Sequence, residues 1–263
     1  MSAPIQIDVL GVTIEVVPTG KEADELGTLL SRAWDRCLVS EVSTGPADLV
    51  VHAVVGRRTP KKLRGEVVAV APSVEALMEV VTQTVTVEAI TRRAGDLVML
   101  HACALAHPET GAVKVFVGPS GMGKTTIART LGGRWAYLTD ETAAFAEDGE
   151  LIAYPKPLSV ITEERHKEQV SPSDLGLLAS VQPGDVDGLY LLDRRDDVAQ
   201  VTLEPVPLVE AVALLAEHTS YLGALERPLH RVAEVITAGG GLHRVTYADA
   251  GDLASLLNGD GKR

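Results

Sequence analysis

The sequence predicts an α/β protein in which a mixed β-sheet with flanking helices (96–263) follows a small N-terminal α+β unit (1–95). Three observations carry that prediction. Short β-branched runs alternate with stretches of helical periodicity along most of the chain. A glycine-rich segment, Gly118 to Gly123, stands directly between the strand-like VKVFV and the helix-like KTTIARTL. From Ala143 to Ile161 the apolar runs become short and are broken by turn residues, the signature of brief strands in a sheet.

The elements follow in order. Ile5 to Val17 alternates apolar and polar residues around Gly11, which predicts a tight hairpin or two short strands. Lys21 to Leu38 carries Ala23, Leu26, Leu29, Leu30, Ala33 and Trp34 at helical spacing, with acids early and Arg32 and Arg36 late, as the helix dipole favours. ADLVVHAVV and EVVAVA read as strands, and Ser73 as the N-cap of a long helix reaching about Ala94. LVMLHACAL and AVKVFVG form a second strand pair, separated by a turn containing Pro108 and Gly111. After the KTTIARTL helix come AYLT, AAFA, LIAY and PLSVI as short strands, a polar stretch to about Asp187, and the strand GLYLLD. VPLVEAVALLAEH and RPLHRVAEVITA read as amphipathic helices, followed by the loop AGGGL, the strand HRVTY and a last helix. No repeat of fixed period and no low-complexity block interrupts this order.

Composition narrows the function classes. Against 36 Asp+Glu stand 24 Lys+Arg, a net charge of -12 that repels a phosphate backbone, and aromatics at 3% leave little for base stacking, so nucleic-acid binding is not expected. Apolar residues at 46% and charged residues at 23% suit a globular domain and not a disordered chain. No apolar run approaches the roughly 18 residues of a spanning helix, and MSAPIQIDVLGVTIEV lacks the basic and apolar regions of a signal peptide. Cys37 and Cys103 are too few for a disulfide framework. The expectation is a reduced, soluble, cytoplasmic protein without a membrane partner.

The chemistry concentrates in one place. Gly118-Pro119-Ser120-Gly121-Met122-Gly123-Lys124-Thr125, continued by Thr126, fits G-x-x-x-x-G-K-[ST] at every fixed position, between a strand and a helix as that Walker A (P-loop) motif requires. The glycines let successive N–H groups converge on phosphate oxygens, and the helix N-terminus adds its dipole. Lys124 would reach the β and γ phosphates of ATP or GTP, and the Thr125 hydroxyl would ligate Mg²⁺. Asp140 and Glu141 follow Lys124 by sixteen and seventeen residues. A helix ending near Gly132-Gly133 and the strand WAYLT would carry the chain by a right-handed crossover onto a neighbouring parallel strand, bringing the two acids beside the phosphates. One carboxylate could hold Mg²⁺ and the other accept the proton of an attacking hydroxyl. His101 lies on the strand expected beside the loop strand. Lys156, between two prolines, and Arg194, at a strand end, are candidate charge-stabilising accessories. His52, His107, His166, His218, His230 and His243 show no metal-ligand spacing and receive no role.

HACAL, a hairpin, GPSGMGKTT and a strand ending LTDET together resemble the catalytic core of HPr kinase/phosphorylase and its relatives, which share the fold of ATP-dependent phosphoenolpyruvate carboxykinase. The likeness covers roughly residues 97 to 160 and continues more weakly through LLDRR. It implies an HPr-kinase C-terminal-domain-like fold, with His101 near the γ-phosphate, Asp140 as base toward a serine hydroxyl and Glu141 assisting Mg²⁺. Where HPr kinases usually show two Asp, this chain has Asp140-Glu141, and their downstream glycine-rich signature is not found after Ala153. The chain looks closer to stand-alone HPr-kinase-like proteins, some of which phosphorylate a serine of a peptide, and family relatives are often homo-oligomers.

The expected function is therefore an ATP- and Mg²⁺-dependent kinase acting on a hydroxyl, serine foremost, of a protein or peptide. A P-loop metabolite kinase and a non-catalytic nucleotide-binding regulator are the alternatives. Metabolite kinases of this kind usually begin with the loop strand, whereas here the loop starts at residue 118 after an antiparallel pair. Motor and transporter ATPases are disfavoured, because no LSGGQ-like segment and no separate distal strand with an acid follow the loop.

Overall fold

Strands buried on one face and strands buried on both divide this chain into two differently built parts. The computed structural model describes residues 3–39, 46–161 and 167–257. In chain order, β1 (Ile5–Val9), β2 (Val12–Thr19), α1 (Ala23–Ala33), β3 (Leu49–Val55), β4 (Val67–Ala71) and α2 (Val74–Arg92) come first. Next are β5 (Val98–Ala106), β6 (Val113–Val117), α3 (Lys124–Leu131), β7 (Ala136–Thr139), β8 (Thr142–Phe145) and β9 (Leu151–Ile152). Then follow β10 (Leu158–Ile161), β11 (Lys167–Val170), β12 (Val186–Arg194), β13 (Thr202–Val206), α4 (Leu208–Ala216), β14 (Thr219–Ser220), α5 (Pro228–Ala238), β15 (Leu242–Tyr247) and α6 (Ala254–Leu257). The architecture is mixed α/β, as the sequence predicts, and no helix among the described residues is long and apolar enough to cross a membrane.

The chain forms two compact units, Met1–Arg92 with Lys156–Leu175, and Arg93–Pro155 with Gly176–Arg263. A single break near residue 95 is thus replaced by a discontinuous division. The reason is long-range pairing that local pattern does not reveal. β10 and β11 pair antiparallel within the first unit, where Lys167 meets Glu79 of α2 at 3.2 Å.

In the first unit the sheet order is β1-β2-β3-β4, with β1 and β2 antiparallel and the remaining pairs parallel. Leu10 and Gly11 both take positive φ, 56° and 75°, the twist that a two-residue hairpin turn requires. Alternate residues of β2 are buried, so only one face of this sheet is fully covered. α1 buries Leu26, Leu30 and Ala33 at helical spacing. Ser73 caps α2 as expected, its Oγ accepting the Ala76 N–H at 3.3 Å. The buried Thr82 and Thr86 hydroxyls donate to the carbonyls of Met78 and Thr82, so α2 hides them without orphaned polar atoms.

The second unit holds the sheet β13-β15-β12-β6-β5-β8-β9, to which β7 and β14 add by pairing with β5. β6, β12 and β15 run parallel, so their C-terminal ends share one edge. β5 runs antiparallel to β6, and every residue of β5 except His101 is buried. The sequence expectation made β7 the parallel neighbour of β6. β7 does run in the direction of β6, but β5 lies between them and pairs antiparallel with both.

β6 is buried throughout, and Phe116 stacks on Tyr190 of β12, ring centroids 5.3 Å apart, at a register pair. Phe116→Ala is expected to lower unfolding free energy by about 3–5 kcal/mol in urea titrations, the usual cost of an emptied aromatic site. A loss below about 1 kcal/mol would contradict this packing.

Candidate functional site

The glycine loop begins where β6 ends. The Gly118 N–H points at the His101 carbonyl at 3.5 Å, and a Cβ at Gly118 would stand 3.2 Å from Leu192 Cβ, so the chain passes closely over β12. Gly121 and Gly123 both adopt φ of 87°, the left-handed region that favours glycine. Gly123 occupies the N-cap of α3. Pro119, Ser120 and Gly121 are exposed, leaving the outer side of the loop open.

Lys124 turns back under this loop. It is 6% exposed, and its Nζ donates to the carbonyls of Gly118 at 2.6 Å and Pro119 at 2.9 Å. Thr125 Oγ1 donates to Asp140 Oδ2 at 2.6 Å, while the fully buried Tyr137 hydroxyl donates to Asp140 Oδ1 at 3.0 Å. Asp140 itself is 5% exposed, so two hydroxyl donors and the neighbouring ammonium offset the cost of burying its carboxylate. Glu141 is half-buried, and a Thr139 hydroxyl shapes the turn by accepting the N–H groups of Glu141 and Thr142 at 3.2 and 3.3 Å. The sequence spacing therefore translates into contact: the loop's threonine meets the first acid after the next strand. Thr126 is exposed on α3.

His101 is half-buried on β5. Its Nδ1 lies 3.1 Å from the Glu141 carbonyl, which can only accept, so Nδ1 carries a hydrogen and Nε2 is the free face of the neutral ring. Cys103, fully buried two residues along the same strand, shares that strand face, and both lie in the electrostatic field of Lys124. Burial brings the Lys124 ammonium down to about 8, opposed by Cys103, Asp140 and Glu141. Burial and then the Lys124 charge depress the His101 imidazole, against a smaller opposing pull from Glu141. Burial and then Asp140 hold the Cys103 thiol well above its usual range.

Arg194 ends β12, paired in register with Tyr247 at the end of β15, on the edge where β6 delivers the loop. Its Nε donates to the Ala248 carbonyl at 3.1 Å, and Asp196 stands 4.0 Å away, an exposed contact that solvent renders weak. Lys156 belongs to the first unit, where it is buried and donates to the Pro157 carbonyl at 3.0 Å. His107 accepts the N–H groups of Glu109 and Thr110 and so serves its turn, and His166 lies outside the described residues.

Two tyrosines escaped sequence reasoning. Tyr137 orients Asp140, and Tyr247 donates to the Met122 carbonyl, tying the loop to the end of β15. Neither sits in a motif, and only the long-range strand order brings Tyr247 to residue 122. Among the described residues, no group of three or more His, Cys, Asp or Glu is disposed to hold a metal. Thr125, Asp140 and Glu141 nevertheless offer hard oxygen donors of the kind magnesium takes together with phosphate oxygens and water. Elsewhere in this unit a cavity of about 740 Å³, lined by Asp96, Glu147, Arg227, His230, Arg231 and Glu234 among others, includes none of these residues.

The buried lysine has a measurable consequence. A depressed folded pKa means that between about 8 and the ordinary 10.5 the unfolded chain binds more protons, so stability rises with pH across that window. The stability of the wild type relative to Lys124→Met is expected to increase between about pH 7 and about pH 10 in urea unfolding. A difference independent of pH would contradict a lysine held in this environment.

The chain matches no protein-family model, and a search of the curated proteins finds no match to it.

Proposed function

We propose that the second unit is an HPr-kinase-like P-loop kinase that binds ATP and magnesium at Gly118–Thr125 and transfers the γ-phosphoryl group to a hydroxyl, serine of a protein or peptide foremost. The observation that supports this reading best is the 2.6 Å hydrogen bond from Thr125 to Asp140, made beside a buried Lys124. A chance glycine turn has no reason to join its threonine to a buried carboxylate from another strand. In P-loop enzymes a loop hydroxyl and a strand-end acid are the groups that hold the phosphate-neutralising metal, and Thr125 and Asp140 would fill those places here.

The residues divide the work. Backbone N–H groups of the loop and the start of α3 face the phosphates, and Lys124, released from the Gly118 and Pro119 carbonyls, neutralises the β and γ oxygens. Thr125, with Asp140 behind it, would hold magnesium, which supplies charge neutralisation at the phosphates. Both Asp140 oxygens accept hydroxyl protons, and its carboxylate is almost wholly enclosed, a setting suited to orienting the metal's ligands. The half-buried Glu141 is better placed to meet an incoming hydroxyl. This exchanges the jobs that the family resemblance implies for the two acids. In the transfer, the acceptor oxygen forms a bond to the γ phosphorus as the bond to the β,γ-bridging oxygen breaks. The hydroxyl proton passes to Glu141, and ADP leaves with the bridging oxygen's charge. His101 and Arg194 border the charge that develops.

The test is transfer from γ-labelled ATP with magnesium, using extract from the protein's own source as acceptor. Lys124→Ala is expected to abolish labelling and nucleotide binding together. Glu141→Gln is expected to lower turnover by about 100-fold or more while ATP affinity stays within a few-fold. Asp140→Asn is expected to weaken the magnesium dependence of ATP binding as well as turnover. Label on a small metabolite would replace the peptide acceptor by a metabolite, and undiminished labelling by Lys124→Ala would refute the reading.

A further inference from the structure

Resting on the nucleotide reading above, we infer that His218 is a further phosphate-contacting residue, pairing with His101 to recognise the terminal phosphate of a nucleoside triphosphate. His218 lies just beyond α4, and its carbonyl accepts the His101 N–H at 2.8 Å. The β14–β5 register, Thr219 opposite Leu100 and Ser220 opposite Met99, extends by one step to set His218 directly opposite His101. Directly opposed residues of an antiparallel pair project from the same face. That face of β5 carries Cys103 as well as His101, and both feel the Lys124 charge, so it is the face turned toward the loop lysine. Lys124 also acts on the His218 imidazole, second only to burial, and His218 in turn acts on His101.

Both histidines are half-buried and thus reachable from solvent. The His101 ring is occupied on one side by the Glu141 carbonyl. The His218 ring makes no hydrogen bond to any described residue, so its donor capacity is unspent within the field of the buried Lys124. The junction itself is specific. β6 leaves the edge of β5 at Ala102, the loop starts one residue later at Gly118, and the His218 segment takes over that edge at His101. A phosphate held by the loop's N–H groups and Lys124 would present its outermost oxygens toward this pair, and a diphosphate, one group shorter, would not reach it. Discrimination between the two is the expected consequence.

The experiment measures binding of magnesium AMP-PNP and of magnesium ADP to wild type, His218→Ala, His218→Gln and Lys124→Ala. His218→Ala is expected to weaken AMP-PNP by about tenfold, as loss of a hydrogen bond to a charged group does, and to leave ADP within about twofold. His218→Gln, which keeps an N–H donor at similar reach, is expected to restore most of the preference. Equal weakening of both nucleotides, or an unchanged ratio in His218→Ala, would overturn the inference while leaving the loop's assignment intact. Wild-type binding of neither nucleotide, or unimpaired binding by Lys124→Ala, would overturn the loop's assignment and this inference with it.

Discussion

One strand changes partners on both of its edges at the same level, and the site exists because of that change. Successive N–H groups of β5 point to opposite sides. The His101 N–H reaches the His218 carbonyl at 2.8 Å, and the Ala102 N–H reaches the Glu141 carbonyl at 3.0 Å. On the first edge β6 covers Ala102 to Ala106 and then departs into the glycine loop. On the second, β7 pairs with β5 from Ala104 onward, β8 pairs with it back from His101, and Asp140-Glu141 bridge the break. Two chain breaks on opposite edges of a buried strand bring a loop and an acidic pair to one height in the sheet. Backbone hydrogen bonding fixes that height, so the side-chain chemistry inherits its precision from the ladder.

Burial gives the assembled groups their character. Lys124 and Asp140 are each almost enclosed, a costly state for separate charges and a tolerable one where carbonyls, hydroxyls and the opposite charge answer them. The Lys124 ammonium, lowered to about 8, is held by the loop carbonyls of Gly118 and Pro119. The loop's cation and the acid beyond the next strand are thus each satisfied by groups of the protein itself. Tyr247 adds a tie between the loop at Met122 and the sheet edge that carries Arg194.

Local signals made much of this legible. VKVFV, the glycine spacing and KTTIARTL each announce their conformation through residues close in sequence, and Ser73 announces the start of α2 in the same way. The spacing also predicts that the acidic pair lies near the loop, since a helix and a strand of ordinary length fit between the two, whereas the Thr125–Asp140 hydrogen bond itself is seen only in the structure. What could not be read depends on pairing between distant segments. β7 lies one strand further from β6 than a simple crossover suggests, and β10 and β11 fold with the first unit. β13 escaped notice because its residues TLEPV are largely exposed at a sheet edge and carry no alternation. His218 looked like the polar end of a helix, and only the β14 pairing sets it opposite His101. The exchange of jobs proposed for Asp140 and Glu141 rests on burial, which adjacent residues of the same chemical type do not disclose in sequence.

The central claim is that Gly118–Thr125 is where phosphate binds. A crystal structure grown with magnesium and AMP-PNP tests it most directly. The account predicts phosphate oxygens against the loop N–H groups, the Lys124 ammonium turned from the Gly118 carbonyl onto the nucleotide, and the metal beside Thr125 and Asp140. A nucleotide bound elsewhere, such as in the cavity beside Arg227 and Arg231, with the loop unchanged and Lys124 still on its own carbonyls, would contradict it.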